Sequence, residues 1–146
     1  MSARTGSCLC GGIKLEIHGA PFMQNLCHCS SCQKSTGAVF GSLAVYKTEQ
    51  VTVTEAEPDV LKTYVDTSPE SGGVLKRSFC GKCGSPVKIQ KGSTPETMVV
   101  PVGIVDGDKS TFKPDVEFYC RGKADWVGAF DNCKNFETMP PTYPPQ

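Results

Sequence analysis

Cysteine spacing constrains this chain more than any other feature of its sequence. The chain has nine cysteines in 146 residues, and most of them are grouped as C-x-C, C-x-C-x-x-C and C-x-x-C. Such close spacing is typical of metal sites, whereas disulfides need an oxidising compartment and usually join distant segments. The spacing therefore predicts metal binding, and zinc is the metal expected for sulfur ligands.

The clustered cysteines divide into a set of four and a set of three, because one tetrahedral zinc takes at most four protein ligands. Spacing alone leaves two divisions open. In the first division, a zinc ribbon, the four ligands are Cys29, Cys32, Cys80 and Cys83. In the second division they are Cys8, Cys10, Cys80 and Cys83. The second division uses every clustered cysteine and leaves Cys27, Cys29 and Cys32 as a three-thiolate site with an open position, the arrangement of a catalytic zinc.

Two side chains near the segment "CHCSSC" are further candidates. His28 lies between Cys27 and Cys29, so side-chain alternation directs it away from an ion that both sulfurs face. Lys34 follows the cluster closely and is a candidate to stabilise the thiolates or to bind a substrate carboxylate.

Two cysteines, Cys120 and Cys133, lie outside the clusters. A free cysteine commonly behaves as a small buried apolar residue, and we expect this of Cys120. His18 ends a predicted strand with no cysteine nearby in sequence, and we expect it on the surface.

Alternating apolar and polar residues predict a mainly β chain. In "GGIKLEIHG", Ile13, Leu15 and Ile17 share one face of a predicted strand. Further strands are predicted at 38–46, 51–54, 60–65, 74–79, 86–90, 97–105 and 116–120. A short helix is expected at "SCQKSTG", and "DWVGAFDNCKN" is a second helix candidate. These signals predict a single domain over residues 1–146, with paired sheets and an extended proline-rich tail at 139–146.

Charge and hydropathy argue against several functions. Fifteen basic and fifteen acidic residues balance, and no long basic run is present, so we expect neither nucleic acid nor an anionic membrane as partner. No stretch approaches the roughly 20 apolar residues of a spanning helix. The start "MSARTGSCLCGG" lacks the apolar core of an export signal, which predicts a cytoplasmic protein.

Three segments of the sequence resemble the signature blocks of the glutathione-dependent formaldehyde-activating enzyme family. They are "GSCLCGGI", "CHCSSCQKSTGA" at 27–38 and "FCGKCGSPV" at 79–87. The later "GKADW" and "FETMP" are also similar to the C-terminal segment of that family. The resemblance covers nearly the whole chain.

The resemblance implies a tent-like β-fold of stacked antiparallel sheets with two zinc sites and few short helices. It implies the second division, with a structural zinc on Cys8, Cys10, Cys80 and Cys83 and a catalytic zinc on Cys27, Cys29 and Cys32. The implied co-substrate is glutathione, which joins formaldehyde to form S-hydroxymethylglutathione. The reverse reaction is that of a carbon–sulfur lyase, and a related glutathione conjugate is an alternative substrate. Many family members begin a late strand with histidine, where this chain has Glu117.

Two other functions remain open at this level. The same fold also serves non-catalytic zinc modules that bind a protein partner. Methionine sulfoxide reductase chemistry needs a reactive late cysteine outside the zinc sites, and only Cys120 and Cys133 qualify.

Overall fold

A computed structural model describes residues 3–141, which form eleven β-strands, one α-helix and three single turns of 3₁₀ helix. The strands are β1 (Arg4–Ser7), β2 (Ile13–Ile17), β3 (Met23–Cys27), β4 (Gly41–Lys47), β5 (Val51–Glu55), β6 (Leu61–Asp66), β7 (Leu75–Cys80), β8 (Pro86–Lys91), β9 (Thr97–Pro101), β10 (Val116–Phe118) and β11 (Lys134–Asn135). The helix α1 is Ser30–Thr36, and the 3₁₀ turns are Thr48–Gln50, Val102–Ile104 and Cys120–Gly122.

The strands form two sheets. The smaller sheet has the order β1-β2-β5 and is antiparallel throughout. The larger sheet has the order β11-β10-β3-β4-β9-β8-β7-β6. In the larger sheet, β10 runs parallel to both β3 and β11. The neighbouring pairs along the rest of that sheet, in the order β3-β4-β9-β8-β7-β6, are all antiparallel. The sheets are therefore mixed at one edge and antiparallel elsewhere.

Each face of the larger sheet supports its own apolar cluster, because successive side chains of a strand point to opposite faces. Ala44 and Tyr46 of β4 belong to the core that the larger sheet shares with the smaller one. Leu43 and Val45 of β4 belong to a second cluster on the other face. That second cluster contains Cys27, Cys29 and Cys32, so these three cysteines lie on the face turned away from β2.

The mainly β class that the sequence predicts is confirmed, and most of the predicted strands are present. The strand predicted at 97–105 ends early, because Pro101 leads into the 3₁₀ turn Val102–Ile104. The helix predicted at "DWVGAFDNCKN" is wrong. Asn132 there has a left-handed φ of 58°, and Lys134–Asn135 forms a short strand beside β10.

Residues 142–146 of the proline-rich tail lie outside the described part of the chain. Within residues 3–141, no helix is both long and apolar enough to cross a membrane.

Candidate functional site

Four cysteines from two distant turns lie together at one end of the molecule. The sulfur atoms of Cys8, Cys10, Cys80 and Cys83 are all within 4.8 Å of one another. The Sγ–Sγ distance is 3.6 Å from Cys8 to Cys10 and 3.7 Å from Cys10 to Cys80. Sulfurs at about 2.3 Å from a tetrahedral zinc are about 3.8 Å apart, so this donor set fits a closed zinc site.

Local backbone geometry builds this four-cysteine cluster. Gly84, with φ of 77°, turns the chain back after β7, and its N–H donates to the carbonyl of Cys80 at 2.8 Å. The backbone N–H of Ile13 donates to the sulfur of Cys8 at 3.2 Å. Hydrogen bonding from the hydroxyl of Ser85 lowers the pKa of Cys83 to about 5. These contacts favour thiolates, the form in which cysteine binds zinc.

Three other cysteines lie together on the second face of the larger sheet. Cys27 ends β3, Cys29 caps α1 and Cys32 lies in α1, and the three sulfurs are within 4.8 Å of one another. The Cys27–Cys29 Sγ–Sγ distance is 3.4 Å. Within residues 3–141, no further cysteine, histidine or carboxylate joins them. The set fits three of the four positions of a tetrahedral zinc and leaves one position without a protein ligand.

Hydrogen bonds in the three-cysteine cluster concentrate negative charge on Cys29. Donation from the Cys27 thiol, and then from Cys32, lowers the pKa of Cys29 to about 2, and the same bond raises the pKa of Cys27. The backbone N–H of Cys32 also donates to the Cys29 sulfur at 3.3 Å. The Arg77 guanidinium lowers the pKa of Cys29 further. The cluster is therefore built to hold a thiolate.

His28 belongs to a separate buried network. Its Nε2 lies 2.8 Å from Oε1 of Glu117, and both side chains are fully buried. The Nζ of Lys123 is 3.0 Å from the same carboxylate oxygen. His28, Glu117 and Cys120 are close enough to hold a metal ion, but the Lys123 ammonium already neutralises the carboxylate. The network thus ties the loop between β3 and α1 to β10 and to the segment after it, with Glu117 in a structural position.

The segment after β10 packs closely on this loop. A Cβ at Gly122 would lie 2.8 Å from the carbonyl oxygen of His28, so only glycine allows the approach. Tyr119 precedes that turn with a left-handed φ of 58°, a conformation that is costly for a tyrosine. Tyr119 is the residue that sequence reasoning missed, and its aromatic type alone contains no signal of this conformation.

A cavity of about 110 Å³ opens beside the three-cysteine cluster. Its polar lining includes Asn25, Glu70, Arg77, Lys91 and Tyr119. Its apolar lining includes Leu43, Leu75, Ile89, Val99, Phe118 and Met139. Burial and the nearby charges on Cys27 and Cys29 raise the pKa of Tyr119 to about 12. Its hydroxyl has no hydrogen-bond partner within residues 3–141, so it remains available to a ligand.

The other candidates from the sequence lie away from this cavity. Lys34 is exposed on α1 and is not among the lining residues. Cys120 and Cys133 are half-buried, and burial raises the pKa of both thiols. His18 is exposed and lies 2.6 Å from the carboxylate of Glu16.

Comparisons of the sequence with known proteins identify a family and several relatives. The family model described as "Glutathione-dependent formaldehyde-activating enzyme" matches residues 3–122. A Halomonas elongata protein named "Putative glutathione-dependent formaldehyde-activating enzyme" is 30% identical over 134 residues, which is 84% of this chain and 78% of that protein. A Talaromyces marneffei protein of the same name is 38% identical over 79 residues, which is 53% of this chain and 39% of that protein.

The fold also has a likeness among solved structures. A Rhodobacter sphaeroides protein of known crystal structure superposes with a TM-score of 0.56 and 25% sequence identity. The superposition covers 73% of this chain and 91% of that protein.

Proposed function

This chain belongs to the glutathione-dependent formaldehyde-activating enzyme family, and from that membership we propose that it is a carbon–sulfur lyase acting on glutathione adducts. The observation that carries the proposal is the cluster of Cys27, Cys29 and Cys32, which lines a cavity and has no fourth protein ligand in the described part of the chain. We assign the four-cysteine cluster to a structural zinc and the three-cysteine cluster to a catalytic zinc.

The reaction is the reversible addition of a thiol to an aldehyde. In the forward direction the sulfur of glutathione bonds to the carbonyl carbon, the C=O double bond becomes a C–O single bond, and the thiol proton ends on that oxygen. With formaldehyde the product is S-hydroxymethylglutathione. Zinc on the three cysteines would supply a fourth coordination position, at which a thiol loses its proton.

The residues of the chain then have distinct tasks. The sulfurs of Cys27, Cys29 and Cys32 would hold the metal. Tyr119 lines the same cavity, and we assign to its hydroxyl the donation of a hydrogen bond to the oxygen that gains negative charge. Removing one hydrogen-bond donor to a developing oxyanion typically lowers the rate by about 100-fold or more.

Glutathione carries two carboxylates, and Lys91 is the cation we assign to one of them. Lys91 lines the cavity, and its ammonium has no ion pair within residues 3–141. Arg77, the other cation of the lining, is already 3.0 Å from Asp66. Lys34 is exposed outside the cavity, so the geometry favours Lys91 over Lys34 for this task.

Exchange NMR on the zinc-loaded full chain tests the proposal. Glutathione and formaldehyde combine without a catalyst, so the measured quantity is the rate of exchange between free glutathione and its adduct above that background. We expect a clear acceleration in the native chain, its loss in Cys29→Ser, and a decrease of about 100-fold in the catalysed exchange rate in Tyr119→Phe.

Calorimetry with glutathione gives an independent readout. No binding at millimolar glutathione would contradict the proposal and favour a non-catalytic module that binds a protein partner.

A further inference from the structure

The cavity beside the three-cysteine cluster has a continuous apolar wall. Val99 of β9 pairs with Val45 of β4 on one side and with Ile89 of β8 on the other, so these side chains share one face of the sheet. Leu43 lies on that same face of β4. Phe118 of β10 and Met139 of the C-terminal segment extend the apolar lining. The wall therefore draws on the neighbouring strands β4, β9 and β8, on β10 beyond β3, and on the C-terminal segment.

Two charged side chains of the lining, Arg77 and Glu70, are already paired with groups outside it. Arg77 is 3.0 Å from Asp66, and both side chains are nearly buried. Glu70 is 2.6 Å from Arg121, which reaches it from outside the cavity. Paired charges of this kind offer little to a further polar group, so the space between them and the cysteines suits an apolar one.

The volume exceeds what a one-carbon electrophile needs. The cavity measures about 110 Å³. A water molecule needs only about 10–15 Å³ on a comparable measure, and an apolar cavity of about 150 Å³ holds benzene. A formaldehyde unit would leave most of the apolar wall without a contact.

We propose that the physiological electrophile carries an apolar chain or ring of about four to six carbon atoms, which occupies this wall. The inference rests on the proposed function, because it places the reacting sulfur at the three-cysteine cluster. The substrate class is then the adduct of glutathione with a medium-sized apolar aldehyde. Its formation keeps the balance given above, with one S–C bond formed and the thiol proton transferred to the carbonyl oxygen.

Calorimetric titration with stable thioether analogues tests the inference. The zinc-loaded full chain is titrated with glutathione and with its S-methyl, S-butyl and S-hexyl derivatives. Each buried methylene should tighten binding by about fourfold. S-butylglutathione should therefore bind about 30- to 60-fold more tightly than S-methylglutathione, with a smaller gain for S-hexyl as the cavity fills.

A cavity-filling variant locates the effect. Ile89→Phe narrows the apolar wall, and we expect the ratio of S-butyl to S-methyl affinity to fall at least tenfold. Gln90→Ala is the matched control, because Gln90 is the next residue of β8, lies outside the cavity lining and faces the other side of the sheet. Leu75→Phe, at the half-buried start of β7, repeats the test if Ile89→Phe fails to fold.

The outcomes separate this inference from the proposed function. Equal affinity for glutathione and all three derivatives would overturn the apolar substituent while leaving the glutathione chemistry intact. Binding that tightens with chain length but is unchanged in both Ile89→Phe and Leu75→Phe would also overturn it, because the chain would then sit elsewhere. No binding of any of the four ligands would overturn both proposals.

Discussion

The two cysteine clusters differ in both solvent exposure and number of ligands, and the more exposed cluster is the one with the complete ligand set. In the four-cysteine cluster, Cys10 is exposed and Cys83 is half-buried, and Leu9 between its first two ligands is 88% exposed. In the three-cysteine cluster every sulfur is buried. The exposed cluster is nevertheless the closed one, because its four sulfurs would fill every position of a tetrahedral zinc. The buried cluster is the open one, because it has no fourth protein ligand within residues 3–141 and lines a cavity.

This contrast is the basis on which we propose a structural role for the four-cysteine cluster and a catalytic role for the three-cysteine cluster. The four-cysteine cluster joins the β1–β2 turn to the β7–β8 hairpin, two segments far apart in sequence. The three-cysteine cluster joins only β3 to the adjacent α1. Losing the first should therefore affect folding, whereas losing the second should affect chemistry.

Cys83→Ser gives the largest expected effect. Removing one ligand of a structural zinc weakens a binding free energy of about 10–16 kcal/mol, which is as large as the stability of a typical domain. We expect loss of the cooperative thermal transition in circular dichroism. Cys133→Ser is the matched control, since that cysteine lies outside both clusters and should leave the transition in place. A normally folded Cys83→Ser protein would contradict a structural role for the four-cysteine cluster.

Cys29→Ser should separate the clusters most directly. We expect zinc content to fall by one ion per chain while the thermal transition persists, because β3 and α1 remain packed in the apolar cluster. Metal analysis and circular dichroism on the same sample provide the measurement. Unfolding as severe as that of Cys83→Ser would show that the two clusters do not divide in this way.

Glu117→Gln tests how the open cluster is held. It leaves Lys123 without its counter-ion and weakens the support of His28, so we expect unfolding free energy to fall by about 3 kcal/mol. The matched control lies beside the closed cluster, where Lys82 pairs with Glu57 at 3.0 Å in exposed positions. Glu57→Gln should cost less than about 1 kcal/mol. Equal costs in denaturant unfolding would contradict a structural role for Glu117.

Lys91→Ala and Lys34→Ala compare two candidate carboxylate partners of the open cluster. We expect Lys91→Ala to weaken glutathione binding about fivefold or more, because a charge-assisted hydrogen bond is lost in the cavity. Lys34→Ala should leave the dissociation constant unchanged, since Lys34 is exposed outside it. If calorimetry instead showed weaker binding in Lys34→Ala and no change in Lys91→Ala, the glutathione carboxylate would bind near Lys34, outside the cavity.

Cys120→Ala and Cys133→Ala give the smallest expected effects. Both thiols are half-buried with raised pKa, so neither is poised as a nucleophile at neutral pH. Each variant should retain adduct exchange and change the unfolding free energy by less than about 1 kcal/mol. Loss of exchange in either variant would instead support a function in which a late cysteine reacts, as in methionine sulfoxide reductase chemistry.

Local alternation predicted the strands that have one apolar face, such as β2, where Ile13, Leu15 and Ile17 are all buried. It missed β3 and β11, and it missed β1, whose "RTGS" has no apolar pattern. In β1 only Gly6 is buried. A Cβ added at Gly6 would lie 2.9 Å from the carbonyl oxygen of Ile104, so the two segments pack closely here. A strand held by its neighbours rather than by its own side chains leaves no periodic signal.

The sequence by itself determined the inventory of this protein: seven clustered sulfurs, a histidine turned away from them by alternation, and a mainly β chain between them. Only the tertiary structure decided how the sulfurs divide, because Cys8, just after β1, and Cys80, at the end of β7, belong to different sheets and meet through the packing of those sheets rather than through spacing. It alone placed Tyr119, Lys91 and the apolar wall beside Cys29. Those contacts depend on sheet register and on a left-handed residue after β10, and neither is encoded within a single stretch of sequence.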